Sequence, residues 1–323
     1  MKNILITGGT GFIGSHLAEF FVKKNFNVKV FDRYNVNYNL GNLSESKCSK
    51  DIEFIFGDIR DYDSVAKSMK KIDIVFHLAA LIGIPYSYVS PLAYLKTNLE
   101  GTYNILEAAK QYNKEQIIIT STSEVYGTGQ IFPMNEKHPL NAQSPYAASK
   151  IAADNLALSY HNSFDLPVKI LRPFNTFGPR QSSRALIPTI ILQAINNKNI
   201  ILGNITPKRD YLFIEDTVEA FYSVMKSRKL FGKVVNVGTN KEYSVKQIAE
   251  KIIRKSNSTK KIIIDKKRKR AINSEVERLI CDNKLIKKTT KWKVKNSFDN
   301  SLSKTIEWYR KYNNKSLLDK YIV

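Results

Sequence analysis

Through the first half of the chain, short β-branched and aliphatic runs alternate with segments whose apolar positions recur every three or four residues. That rhythm belongs to parallel strands joined by crossover helices. The runs predict strands at Asn3–Thr7, Asn27–Phe31, Glu53–Gly57, Asp73–Leu78, Gln116–Ser121 and Val168–Arg172. The periodic segments predict helices near Ile13–Lys24, Ser64–Lys70, Pro91–Tyr112 and Tyr146–Asn162. Six strands in this order predict an α/β fold with a Rossmann-type doubly wound parallel sheet. Beyond Arg172 the rhythm turns irregular. Helices are expected near Ala185–Asn196, Asp216–Lys226, Val245–Lys255 and Ser301–Tyr312, and strands at Ile200–Leu202, Val234–Val237 and Lys261–Asp265. Residues 1–172 therefore read as the nucleotide-binding domain and 173–323 as a smaller C-terminal α/β substrate lobe, some of whose segments return to the sheet.

Composition changes this picture little. The 323 residues are 43% hydrophobic, ordinary for a globular chain with a substantial core. No apolar run is long enough to span a bilayer, and the start lacks the basic, apolar and small-residue succession of a signal peptide. A cytoplasmic location is the resulting expectation. The two cysteines, Cys48 and Cys281, form no CxxC pair and point to no disulfide framework. The formal charge of +22 is spread along a Lys-, Asn- and Ile-rich chain, with one cluster at 266–270. Most of these side chains read as solvated surface. No helix-turn-helix, zinc-finger or RNA-binding aromatic signature accompanies them, so nucleic acid is not an expected partner.

The chemistry begins at Thr7-Gly8-Gly9-Thr10-Gly11-Phe12-Ile13-Gly14, which follows a strand and opens a helix. Gly8 permits the tight turn, Gly11 lets backbone approach a pyrophosphate, and Gly14 lets helix pack on strand. The helix N-terminus then offers amides and a positive dipole end to phosphate. The alternative is a plain structural turn. Asp32, about twenty residues on, ends the second strand. A carboxylate there accepts from ribose hydroxyls and repels a 2′-phosphate, favouring NAD over NADP, although neighbouring Arg33 is of the type that accommodates that phosphate. Its structural alternative is a loop cap. Tyr146 and Lys150 are four residues apart and share one helical face. An ammonium beside a phenol favours the phenolate, and a nicotinamide's positive charge would add to this. His16, His77, His138 and His161 lack metal-ligand spacing, so no catalytic metal is expected. His77 reads as a strand-end residue near the cofactor.

Over essentially its whole length the chain resembles the extended short-chain dehydrogenase/reductase family. The resemblance rests on the glycine segment, Gly57-Asp58-Ile59-Arg60-Asp61, Phe76-His77-Leu78-Ala79-Ala80, Tyr146/Lys150, residues 172–180 and Arg209-Asp210-Tyr211. It implies that Asp58 and Ile59 flank the adenine, and that Leu78, Ala79, Ala80 and Pro173 line the cofactor. It further implies that Thr122, Tyr146 and Lys150 form the hydride-transfer group, and that Ser87, Thr122, Asn175, Arg184, Arg209 and Arg270 meet the substrate. Ser121-Thr122-Ser123-Glu124-Val125-Tyr126-Gly127 narrows the match. A glutamate two residues after the threonine resembles nucleotide-sugar 4,6-dehydratases and UDP-glucuronate decarboxylases, and Ser123-Glu124 is similar to the GDP-mannose type rather than the Asp-Glu pair of the dTDP-glucose type. Residues 80–87, 180–188 and 273–276 look most like bacterial N-acetylglucosamine-nucleotide 4,6-dehydratases of the legionaminic-acid pathway. Ala271, where that branch is expected to have proline, is a departure confined to a local turn.

What the resemblance implies is an NAD-dependent hydro-lyase. Tyr146, aided by Lys150 and Thr122, takes the C4 hydroxyl proton. Glu124 abstracts the C5 proton and helps expel the C6 hydroxyl, with Ser123 able to donate a hydrogen bond but a poor acid. Its rivals are decarboxylation of a nucleotide-glucuronate with Arg184 at the carboxylate, 4-epimerisation, and, outside enzymes, a silent NAD-binding sensor. A homodimer is expected through Leu95–Ala109 and Ile151–Tyr160, both more apolar than one sheet-facing stripe requires.

Overall fold

The computed structural model describes residues 1–268 and 272–312. Its first half runs β1 (Asn3–Thr7), α1 (Phe12–Lys23), β2 (Asn27–Arg33), β3 (Ile52–Gly57), α2 (Tyr62–Ser68), β4 (Ile74–His77), α3 (Ile84–Val89), α4 (Pro91–Tyr94), a π-helical turn (Leu95–Glu100) and α5 (Gly101–Gln111). After these come β5 (Gln116–Thr120), a 3₁₀ turn (Ser123–Tyr126), α6 (Pro145–Phe164), β6 (Val168–Pro173) and β7 (Asn175–Phe177). The second half runs α7 (Leu186–Asn196), β8 (Ile200–Leu202), β9 (Lys208–Phe213), α8 (Ile214–Lys226), β10 (Lys233–Val237), β11 (Glu242–Ser244) and α9 (Val245–Lys255). It ends with β12 (Ile262–Ile264), β13 (Arg278–Leu279), α10 (Lys284–Thr289) and α11 (Phe298–Lys311).

The main sheet has seven strands in the order β10-β6-β5-β4-β1-β2-β3, parallel throughout. Its central strands are apolar at consecutive positions because both faces are covered. Ile4, Ile6, Phe76, Ile118 and Leu171 enter one layer with α1, α7, α8, α9 and α11. Leu5, Val75, Ile117, Ile119, Val168 and Ile170 enter the other, with α2, α5 and α6. Two small sheets form within the second half of the chain, one of β7, β9, β11 and β13 and one of β8 and β12. No helix among the described residues is long and apolar enough to cross a membrane.

Two features differ from the pattern read along the chain. The segment 91–112 is not one helix: Asn98 pulls it into a π turn. The Asn98 side chain exchanges hydrogen bonds with the Leu81 backbone at 2.8 and 3.0 Å, and its carbonyl accepts from Thr102 Oγ1 at 2.6 Å. A π turn is rare and often marks a functional region. The short strands β7, β9, β11 and β13 and the helices α3 and α10 were not anticipated, being brief or polar. β10 joins the main sheet beside β6, and α8 packs on α1, so both halves of the chain share one apolar layer.

Phe21 lies fully buried in that layer, ring to ring with Phe26, Phe76 and Tyr222. Phe21→Ala should cost about 3–5 kcal/mol, read as a lower denaturant midpoint for the whole chain in one transition. Two separated transitions would show that the halves do not share their stability.

Candidate active site

β1 and β4 part at the point where the strand order reverses, the usual ligand position in such sheets. Gly8 has φ +70°, and a Cβ on it would lie 2.8 Å from the Ala79 nitrogen. A Cβ on Gly14 would lie 2.2 Å from the Gly8 carbonyl oxygen. Backbone therefore fills the space where side chains would be. The N-cap of α1, Gly11, brings no side-chain hydrogen bond to the first turn, which leaves the amides around Phe12 and Ile13 to an anion. These residues fit a dinucleotide's pyrophosphate. Asp32 accepts from Thr10 N and Oγ1 at 2.9 and 2.6 Å and from Arg33 N at 2.8 Å, so the acid and the glycine loop hold one another. Asp58 is gripped by Arg60, whose Nε and backbone N both lie 2.9 Å away, and that pairing holds its carboxyl below the usual range. Ile59 is buried against Gly101, at the start of α5.

Behind this cradle runs a hydrogen-bond chain with one direction. Thr102 Oγ1 donates to the Asn98 carbonyl, so its oxygen is left to accept from His77 Nε2 at 3.2 Å. His77 Nδ1 must then accept from Thr7 Oγ1 at 2.8 Å, and the Thr7 oxygen accepts from the Leu78 and Ala79 amides at 3.2 Å. The imidazole is neutral: burial, with the Lys150 charge behind it, lowers its pKa to about 3. His77, read from the sequence as a strand-end residue near the cofactor, holds the β4 loop to the glycine loop.

Thr122 caps the 3₁₀ turn that carries Ser123 and Glu124, its Oγ1 accepting from the Glu124 amide at 3.2 Å. Ser144 caps α6 in the same way, and Pro145 at its first turn sets the entry, so Tyr146 and Lys150 face the end of β5. The Tyr146 phenol lies within the influence of the Thr122 hydroxyl. Burial pushes the phenol well above its ordinary pKa; the Thr122 hydroxyl lowers it, and the Glu124 and Asp154 carboxylates raise it. Lys150 Nζ donates to the Thr120 carbonyl at 2.6 Å. From the sequence, the Lys150 ammonium, with a nicotinamide's positive charge added, favours the phenolate, and in the folded chain burial opposes that ionisation. Ser123 is buried and Glu124 half-buried, so the carboxylate remains reachable.

The residues expected to meet the substrate are less uniform. Pro173 ends β6 in register with Val237. Asn175, half-buried on β7, has a buried Oδ1 without a hydrogen-bond partner. Arg209 on β9 is buried near Glu275, at 3.8 Å. Ser87 is fully buried and donates to the Ile84 carbonyl inside α3, so its hydroxyl is already engaged. Arg184 is exposed, and Arg270 lies outside the described residues. Its neighbouring segment straps the site: Ser274 Oγ donates to the Gln143 carbonyl at 2.6 Å, Gln143 Nε2 donates to the Asn273 carbonyl at 3.1 Å, and Tyr88 hydrogen-bonds Ser274. Among the described residues no cluster of three His, Cys, Asp or Glu could hold a metal.

Sequence reasoning gave no role to Asp154 or Asp210. Asp210 accepts from Thr239 N and Oγ1, Asn240 N and Cys281 N, and burial pushes its carboxyl up to about 6 against those bonds. It fixes β9, and with it Arg209, to the loop after β10. An acid four residues beyond Lys150 was the available signal for Asp154.

Residues 5–305 match the family model described as GDP-mannose 4,6 dehydratase. The chain is 38% identical over 269 residues to the dTDP-D-glucose 4,6-dehydratase of Dictyostelium discoideum, covering 78% of this chain and 62% of that protein. It is 32% identical over 325 residues to a UDP-N-acetyl-alpha-D-glucosaminuronate decarboxylase of Bacillus cytotoxicus, covering 97% and 99%. Among solved structures, a dTDP-glucose 4,6-dehydratase from Streptomyces venezuelae with NAD bound superposes with a TM-score of 0.88 at 26% identity, covering 98% and 99% of the two chains.

The buried histidines give this site a pH signature. His77 and His16, the latter lowered to about 4 chiefly by burial, are neutral when folded and gain protons near 6.5 when unfolded. Their contribution is complete above pH 6.5 and is lost as pH falls toward the folded values. Unfolding free energy should therefore drop by up to about 1.4 kcal/mol per pH unit for each histidine between about pH 6.5 and pH 5. His77→Gln should flatten that slope; an unchanged slope would mean His77 is already charged in the fold.

Proposed function

The chain belongs to the GDP-mannose 4,6-dehydratase family of extended short-chain dehydrogenase/reductases, and from that footing we propose that it is itself a nucleotide-sugar 4,6-dehydratase. The observation that carries this reading is Glu124. Its carboxylate sits on the turn capped by Thr122, close enough to Tyr146 to act on the phenol's charge, in a site where epimerisation at C4 needs no second base. The substrate is an NDP-hexose, best matched by NDP-N-acetylglucosamine, which the sequence of residues 80–87, 180–188 and 273–276 supports.

NAD, which Gly8, Gly11, Gly14 and Asp32 would hold, would supply the hydride acceptance at C4 and the hydride return at C6. Tyr146 receives the C4 hydroxyl proton, with the Thr122 hydroxyl easing its ionisation and Lys150 one helical turn away on α6. Once C4 is a ketone the C5 proton is acidic, and Glu124 takes it. The same carboxyl then protonates the departing C6 hydroxyl, which leaves as water, and C5 regains a proton, exchangeable with solvent, as hydride is restored at C6. Arg209 and Asn175 hold the nucleotide's phosphates or ribose. A second reading, decarboxylation of a nucleotide-hexuronate, is favoured by the Bacillus cytotoxicus relative, and it would require a cation such as Arg184 at the C5 carboxylate.

Product mass from a panel of nucleotide-sugars separates these: loss of water, loss of carbon dioxide, or no change for an epimerase. In the winning assay Tyr146→Phe should slow turnover by roughly 10²–10⁴. Glu124→Gln should block dehydration and with it the entry of solvent deuterium at C5. Dehydration at the wild-type rate in Glu124→Gln would remove the glutamate from the chemistry.

The protein pairs with a second copy through the face formed by the π turn, α5 and α6. Leu92, Leu95, Tyr103 and Phe164 are exposed there, and Leu95, Leu99, Tyr103 and Leu156 line a shallow apolar depression. Light scattering should give a dimer mass for the wild type and a monomer mass for Tyr103→Asp; a wild-type monomer at micromolar concentration overturns the pairing.

A further inference from the structure

Lys150 is 4% exposed, and its Nζ is committed to the carbonyl of Thr120. A single neutral acceptor does not offset the cost of taking an ammonium out of water. The groups around it are few. Tyr146 and Asp154 lie one turn away on either side along α6, β5 presents the Thr120 carbonyl, and β4 presents the neutral His77 ring. Glu124, on the 3₁₀ turn, bears on Tyr146. Asp154 is the carboxylate whose charge acts on Lys150.

Asp154 is itself 1% exposed, and its surroundings fix it in place. Its Oδ2 accepts from Ser121 Oγ at 2.7 Å, Arg172 Nε at 3.0 Å and Arg172 Nη2 at 2.9 Å. Arg172 Nη1 donates on to the Tyr126 hydroxyl at 3.0 Å, which donates to Asn236 Oδ1 at 2.7 Å. The other carboxylate oxygen, Oδ1, is buried without a hydrogen-bond partner. A buried charged oxygen without a hydrogen-bond partner is costly, and it lies on a carboxylate one helical turn from the Lys150 ammonium, the opposite charge that can offset part of that cost.

We propose that Asp154 is a positioning residue for the reaction: held by Arg172 and Ser121, its carboxylate keeps Lys150 protonated inside the dry site. Burial pulls the ammonium below its ordinary pKa, and the Asp154 charge opposes this. The consequence for turnover rests on the reading of Tyr146 and Lys150 as the proton-transfer pair. The charge relation itself is a property of the folded chain.

The test reads Lys150 directly. Full-length protein carrying ¹³C at the lysine ε-carbon is titrated by NMR in the presence of NAD, with the Lys150 resonance assigned by its loss in Lys150→Met. The midpoint should move to lower pH in Asp154→Asn and stay at the wild-type position in Asp154→Glu. Asp154→Asn leaves Arg172 buried and unpaired, which itself repels Lys150 and endangers folding. The decisive variant is therefore Asp154→Asn with Arg172→Met, its fold checked by thermal melting. A lowered Lys150 midpoint there supports the proposal; a wild-type midpoint overturns it, since the pair's net effect on Lys150 would be nil. The titration uses no sugar substrate, so a failed dehydration assay beside a shifted midpoint would sink the reaction reading and leave the charge relation standing.

Discussion

Lys150 and Tyr146 lie one turn apart on α6, both withdrawn from water, and withdrawal acts on them in opposite senses. It makes the phenol hold its proton and makes the ammonium shed one. The pair can work together only if surrounding groups restore the balance, and much of the local architecture bears on that demand. The Thr120 carbonyl receives the ammonium, the Thr122 hydroxyl favours a phenolate, and the neutral His77 adds no competing charge.

The parallel sheet was legible along the chain because its strands are buried on both faces and therefore read as unbroken aliphatic runs. Ile4–Ile6 and Ile117–Ile119 fill opposite layers at alternate positions and admit no polar residue at all. The small sheet of β7, β9, β11 and β13 was not legible in the same way. β9 carries Lys208, Arg209 and Asp210 in sequence, and its pairing depends on partners from distant segments, β7, β11 and β13. No local pattern announces such a strand. The site divides likewise. Gly8, Gly14, Tyr146 and Lys150 stand in fixed spacing within single strand–helix units. The Asp154–Arg172–Tyr126–Asn236 network joins residues that only the tertiary fold brings together.

Dehydration, decarboxylation and epimerisation share the first proton transfer at C4 and diverge at C5. The Rossmann half supplies what they share, and it is the half the sequence described well. On the proposed reading, what separates them is the Glu124 carboxylate on its short turn together with the second half of the chain, where Arg209 is steadied through Asp210 and the segment 273–276 is tied to Tyr88 and Gln143. One fold can host several chemistries through such local differences.

The π turn at Leu95–Glu100 carries a consequence for how such a chain can change. It amounts to one residue more than an α-helix would use, and each residue of a helix turns its neighbours by about 100°. Upstream of it Leu92 lies on the outer face; within it Asn98 binds the loop after β4; downstream Thr102 reaches His77 while Tyr103 faces out. The inserted residue sets the phase between these points. Deleting it would swing α5 about its own axis, moving the interior threonine and the exterior tyrosine at once. The length of this helix is therefore locked, since no single gain or loss of a residue could alter the outer surface without also disturbing the inner one.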